Sequence, residues 1–86
     1  MTTPLRALLA VAFRHVIDEP TIEAGYQRFR DLSAEPPDEN TFRAAVQEAL
    51  RQGLIHEPVR LPEGALQCHW HLELTPRGVA AARSNV

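Results

Sequence analysis

Apolar side chains along this chain recur first with a helical period and, beyond residue 53, with a strand period, which divides it into two parts. Leu5, Leu8, Leu9, Ala12, Phe13 and Val16 follow the i, i+3, i+4, i+7 rule and predict a helix over residues 4 to 17, with Thr3 as N-cap and Pro4 in its first position. Its outer face carries Ala7, Ala10 and Val11 beside Arg6 and Arg14, small enough for another helix to approach closely, although alanine is also simply a good helix former on a wet surface. Asp18, Glu19 and Pro20 stop this helix, because the residue before a proline is pushed out of helical geometry. Ile22, Tyr26, Phe29 and Leu32 then predict a second helix from Thr21 to about Ser33, with Gly25 on the same side, and Ala34-Glu35-Pro36-Pro37 forms a connector. In a third helix, Asp38 is the expected N-cap, Phe42, Ala45, Val46, Ala49 and Leu50 the buried stripe, and Gly53 the left-handed terminator. Asn40, Ala44, Gln47 and Arg51 fall at the centre of its exposed face, with Arg43 and Glu48 on the flanks.

After Gly53 the period becomes two. Leu66, Cys68, Trp70, Leu72 and Leu74 alternate with Gln67, His69, His71 and Glu73, the pattern of a half-buried strand whose histidines face outward. Residues 54 to 61 form its hairpin partner through Ile55, Val59 and Leu61, Pro62-Glu63-Gly64-Ala65 is the turn, and Pro58 marks an exposed edge. Thr75 followed by Pro76 caps a short closing helix over residues 76 to 83. The fold class expected is therefore α+β: three helices, a two-stranded hairpin and a short C-terminal helix, in one domain spanning residues 1–86.

Composition bounds what such a domain does. Hydrophobic residues make up 44% of the chain, but twelve of them are alanine, so the core is thin. No apolar run approaches the roughly 20 residues of a membrane span, and no leader pattern opens the chain, so a location in the cytoplasm is expected. The single Cys68 has no intramolecular disulfide partner and points inward beside Trp70 as inert packing.

Three helices, a hairpin and a closing helix, in that order, resemble a helix-turn-helix with an appended wing. Ala49-Leu50-Arg51-Gln52-Gly53-Leu54-Ile55 looks like the junction between recognition helix and first wing strand in winged-helix proteins. Leu72-Glu73-Leu74-Thr75-Pro76-Arg77-Gly78 is similar to the L-T-x-x-G ending of MarR-like and PadR-like bacterial regulators. The resemblance spans nearly the whole chain and implies a winged helix-turn-helix that binds double-stranded DNA and regulates transcription. Under it, residues 39 to 52 would enter the major groove and the hairpin tip near residues 61 to 66 would touch phosphates or the minor groove. Asn40, Arg43, Gln47 and Arg51 would then reach bases or phosphates, with Arg60 and His69 as wing contacts.

Charge placement opposes that reading. All nine basic residues are arginine against eleven acids, for a net charge of −2. Residues 18 to 40 hold seven acids, Asp18, Glu19, Glu23, Asp31, Glu35, Asp38 and Glu39, against Arg28 and Arg30, a local net of −5. Acids at the starts of the second and third helices suit the helix dipoles but repel phosphate, so a monomer should bind DNA weakly and a homodimer, through the first and last helices, is expected. The alternative is a protein-interaction module or small subunit that docks a basic partner through its acidic 18–40 region.

Other chemistry is thinly supported. If Leu61 pairs with Leu66, His56 falls opposite His71, and with His69 three imidazoles gather on the exposed side, but no fourth ligand is fixed and a register slip scatters them, so no metal is expected. The four glycines are scattered and form no phosphate-binding loop, and no nucleophile, base and orienting acid stand at a working spacing, so neither catalysis nor a cofactor is expected.

Overall fold

The computed structural model describes residues 3–60 and 69–84, with the Arg60 side chain excepted. The elements run α1 (Thr3–Arg14), β1 (Ile17–Glu19), α2 (Ile22–Leu32), α3 (Glu39–Arg51), β2 (Val59–Arg60), β3 (His69–Leu72) and α4 (Pro76–Ser84). Among the described residues four helices pack with a three-stranded antiparallel sheet of order β1-β3-β2. The α+β architecture and the order of its helices are as expected. The expected turn at residues 62–65, together with Leu61, Leu66 and Cys68, lies outside the described residues.

The first correction concerns α1. The helix ends at Arg14 rather than near residue 17, and Ile17 starts β1, paired with Leu72, Asp18 with His71 and Glu19 with Trp70. Ile17 is thereby buried, while Phe13 and Val16, expected in the core, are 41% and 61% exposed. Val11, expected on the outer face, is buried. The helical period carried the reading one turn too far: a strand pairing satisfies the backbone of residues 17–19 as completely as a further turn would, and Pro20 already forces Glu19 into extended geometry.

The second correction is a consequence of the first. With β1 on one side and β2 on the other, β3 is the central strand, hydrogen-bonded along both edges, and from Trp70 to Leu72 its side chains are buried. His71, expected outside, is 6% exposed, and its Nε2 lies 2.9 Å from Glu73 Oε2. The hairpin register also differs by two residues from the expected one: Val59 pairs with Trp70 and Arg60 with His69. His71 therefore donates its backbone N–H to the Pro58 carbonyl at 2.7 Å, and His56 donates to the Glu73 carbonyl instead of standing opposite His71. The imidazole cluster does not form. β2 is an edge strand, as Pro58 suggested, although Pro58 itself is buried.

Caps define the other helices. Thr21 accepts from the Ala24 amide at 3.1 Å and Asp38 from the Thr41 amide at 2.7 Å, satisfying first-turn donors of α2 and α3. Gly53 takes φ 72 at the end of α3, the left-handed value expected of it. Thr75 caps α4 through Gly78 N–H at 3.1 Å and ties it to the end of α3 by donating to the Gly53 carbonyl at 2.7 Å.

The core centres on Phe42 of α3. Its ring lies 4.8 Å from Phe29, 5.2 Å from Tyr26 and 5.7 Å from Trp70, centroid to centroid, joining α2, α3 and the central strand. Gly25 lets α2 approach the sheet, for a Cβ there would overlap the Trp70 ring. Leu5, Leu8 and Leu9 complete the core from α1, which packs against both α3 and α4. Tyr26 Oη donates to the Pro37 carbonyl at 2.7 Å and pins the connector that aims α3.

Candidate nucleic-acid interface

One face of α3 is fixed by burial and the opposite face is thereby set. Phe42, Ala45, Val46 and Ala49 are buried, which turns Asn40, Ala44, Gln47 and Arg51 to solvent. Leu50, expected in the buried stripe, is 36% exposed at its margin. Ala44, Gln47, Glu48 and Arg51 line an open depression of about 360 Å³ on this helix. Asn40 and Gln47 offer amide donors and acceptors, and Arg51 a guanidinium, along one surface about two to three turns long.

The cations of this surface are already engaged. Arg43, half-buried on the flank, donates from Nη2 to Glu23 Oε1 of α2 at 3.3 Å, and its Nε lies 3.9 Å from Glu39 Oε2 one turn back. Arg51 bonds Glu48 through Nη2, and Glu48 is held from its other oxygen by Gln52 Nε2 at 2.7 Å. The Glu23 carboxyl is held below the usual carboxylate range, first by a hydrogen bond from its own backbone amide and further by Arg43. Asp38 is lowered mainly by the backbone amide of Thr41. Both acids therefore stay charged beside α3 at neutral pH.

Of the expected site residues, the fold brings Asn40, Gln47 and Arg51 onto one exposed face and sets Arg43 at its edge. Arg60 lies on β2 opposite His69, and its side chain falls outside the described part. His69 Nδ1 stands 3.5 Å from Asp18 Oδ1 of β1. Sequence reasoning named Glu23 and Glu39 as acids that suit the helix dipoles and repel phosphate, and missed them as partners of Arg43. The i, i+4 spacing of Glu39 and Arg43 was a usable signal, whereas the Glu23 contact depends on how α2 and α3 pack.

No protein-family model, curated protein or solved structure matches the chain. Among the described residues no helix is long and apolar enough to cross a membrane.

Proposed function

We propose that this chain is a winged-helix DNA-binding domain of the MarR-like and PadR-like kind, a cytoplasmic transcriptional regulator rather than an enzyme. The observation that carries the reading is α3: a capped helix rigidly seated through Phe42, presenting Asn40, Gln47 and Arg51 on a single polar face, and followed directly by the antiparallel β2–β3 pair. A helix of this kind fits the major groove, where Asn and Gln recognise adenine and Arg recognises guanine. Arg43 and Arg60 supply phosphate contacts, with Arg43 exchanging Glu23 for phosphate on binding.

Nearly neutral contacts of this sort give weak affinity to one copy, so the working unit is a homodimer on a two-part site. The dimer face expected on α1 and α4 is partly consumed inside the chain: the two helices pack on each other, and Val11 and Ala82 are buried. The exposed side of α4, with Ala80 and Val79, is left for the two-fold contact. Fluorescence anisotropy with random duplex DNA at low salt tests the function. Binding in the micromolar range that weakens steeply with salt supports it, and no binding at such concentrations overturns it.

A second reading, a module that docks a basic protein through residues 18–40, draws support from the same ion pairs. Glu23 already holds the Arg43 guanidinium, so this region takes a cation in preference to phosphate.

A further inference from the structure

We infer that the groove between α1 and the end of α2 receives an amphipathic helix from a partner protein, with carboxylates flanking its apolar stripe. The groove, about 530 Å³ and open to solvent, is lined on one side by Ala7, Ala10, Val11 and Phe13 and on the other by Leu32 and Ala34. Its floor is small and apolar, which lets a second helix backbone approach closely, and Phe13 stands 41% exposed beside it without a cover among the described residues.

The charge on the rim names the occupant. Arg6, Ala10 and Arg14 follow one another at i, i+4, i+8 on the exposed stripe of α1, so the two arginines leave the helix about 12 Å apart along its axis, on either side of Ala10. Neither arginine has an ion pair or side-chain hydrogen bond among the described residues, in contrast to Arg43 and Arg51. Among the described residues Glu35 is the single acid lining the groove, one against two cations. Carboxylates two turns apart on a docked helix meet both arginines while its apolar residues fill the space over Ala7, Ala10 and Leu32.

A second copy fits poorly. A two-fold α1–α1 contact centred on Ala10 would bring Arg6 of one copy against Arg14 of the other. The exposed face of α3 on a second copy is polar, with Asn40, Gln47 and Arg51, and offers no apolar stripe to insert. This proposal is independent of DNA binding, because the groove lies on α1 and α2 and shares no residue with the exposed face of α3.

The probe is a stapled helical peptide of about three to four turns, matching the length of α1, with leucines on one stripe and glutamates flanking it, compared with its counterpart carrying lysine for glutamate. By isothermal titration against the unmodified chain, the glutamate peptide should bind about tenfold tighter than the lysine peptide. The double substitution Arg6→Glu with Arg14→Glu, at exposed positions, should reverse that order while leaving the melting temperature within a few degrees, and Ala10→Trp should abolish both. Equal affinity for the two peptides, or binding of neither, overturns the proposal. So does a concentration-dependent dimer in sedimentation that Ala10→Trp dissolves, since the occupant would then be a second copy.

Discussion

The outer faces of α3 and α1 each carry two arginines, yet they differ in what those arginines are free to do. On α3, Arg43 is shared between Glu23 and Glu39, and Arg51 is tied to Glu48. On α1, Arg6 and Arg14 have no such partner among the described residues and stand over an apolar floor. Counting charge along the chain puts the net negative charge between residues 18 and 40 and leaves α3 nearly neutral. Folding changes this, because α2 delivers Glu23 to the flank of α3 and brings acidity to the face that would have to meet phosphate. Charge available to a partner therefore differs from charge present, and by that measure α1 is the more electropositive of the two surfaces.

The largest effect expected is one that destroys the comparison. Phe42→Ala removes the ring shared by Tyr26, Phe29 and Trp70 and should cost about 3–5 kcal/mol of stability, measured by urea unfolding. Because α1 and α3 pack on one core, DNA binding and peptide binding should fall together. If either survived at full strength, the two faces would not depend on a common fold. Gly25→Ala is smaller and more selective. The new methyl group overlaps Trp70, and the resulting overpacking should cost about 1–3 kcal/mol by the same measurement. It displaces α2 and with it Glu23, so it should disturb the Arg43 contact more than the first turns of α1.

How far these surfaces were legible beforehand can be argued from the same residues. The caps Thr21 and Asp38, the φ of Gly53 and the Thr75-Pro76 start of α4 are local chemistry, and local chemistry is written in adjacent residues. β1 escaped because three residues are too few to show a period, and Ile17 happens to extend the stripe of α1. His71 was misplaced for a non-local reason: alternation assigns one wet face to a strand, and whether that face stays wet depends on what packs around it in the fold, which adjacent residues do not record. On α3 the polar face itself followed from the position of Phe42, but the neutralisation of Arg43 by Glu23 joins residues twenty apart and required the α2–α3 packing.

A charge-only change sharpens the comparison without touching the fold. Glu23→Gln should release Arg43 from α2 and remove one negative charge from the side proposed to meet phosphate, raising affinity for random duplex at low salt by about threefold per carboxylate removed. Glu39→Gln should act in the same direction, and the pair together more than either alone. Affinity of the α1 groove for the glutamate peptide should not move. Anisotropy titrations at two salt concentrations check this, and a gain that persisted undiminished at high salt would show that the effect is not electrostatic.

The smallest effect lies at the start of α3 and separates the two helices by pH. Asp38 is held below the usual carboxylate range because its ionised form accepts the Thr41 amide, and Glu23 is lowered by its own backbone amide and by Arg43. A carboxyl depressed in the folded chain favours folding above the unfolded value of about 4, and that contribution is lost as pH falls through the folded value. α1 has no acid in its first turn, so nothing comparable holds its start. Below about pH 4 the first-turn amides of α3, Thr41 in particular, should therefore lose hydrogen-exchange protection before amides at the same depth in α1. Asp38→Asn keeps an acceptor for the Thr41 amide but cannot titrate, and it should flatten the acid side of the stability curve while changing stability little at neutral pH. If α1 and α3 lost protection together in both chains, the start of α3 would have no electrostatic anchor of its own, and the acids beside Arg43 would matter only for what they deny to phosphate.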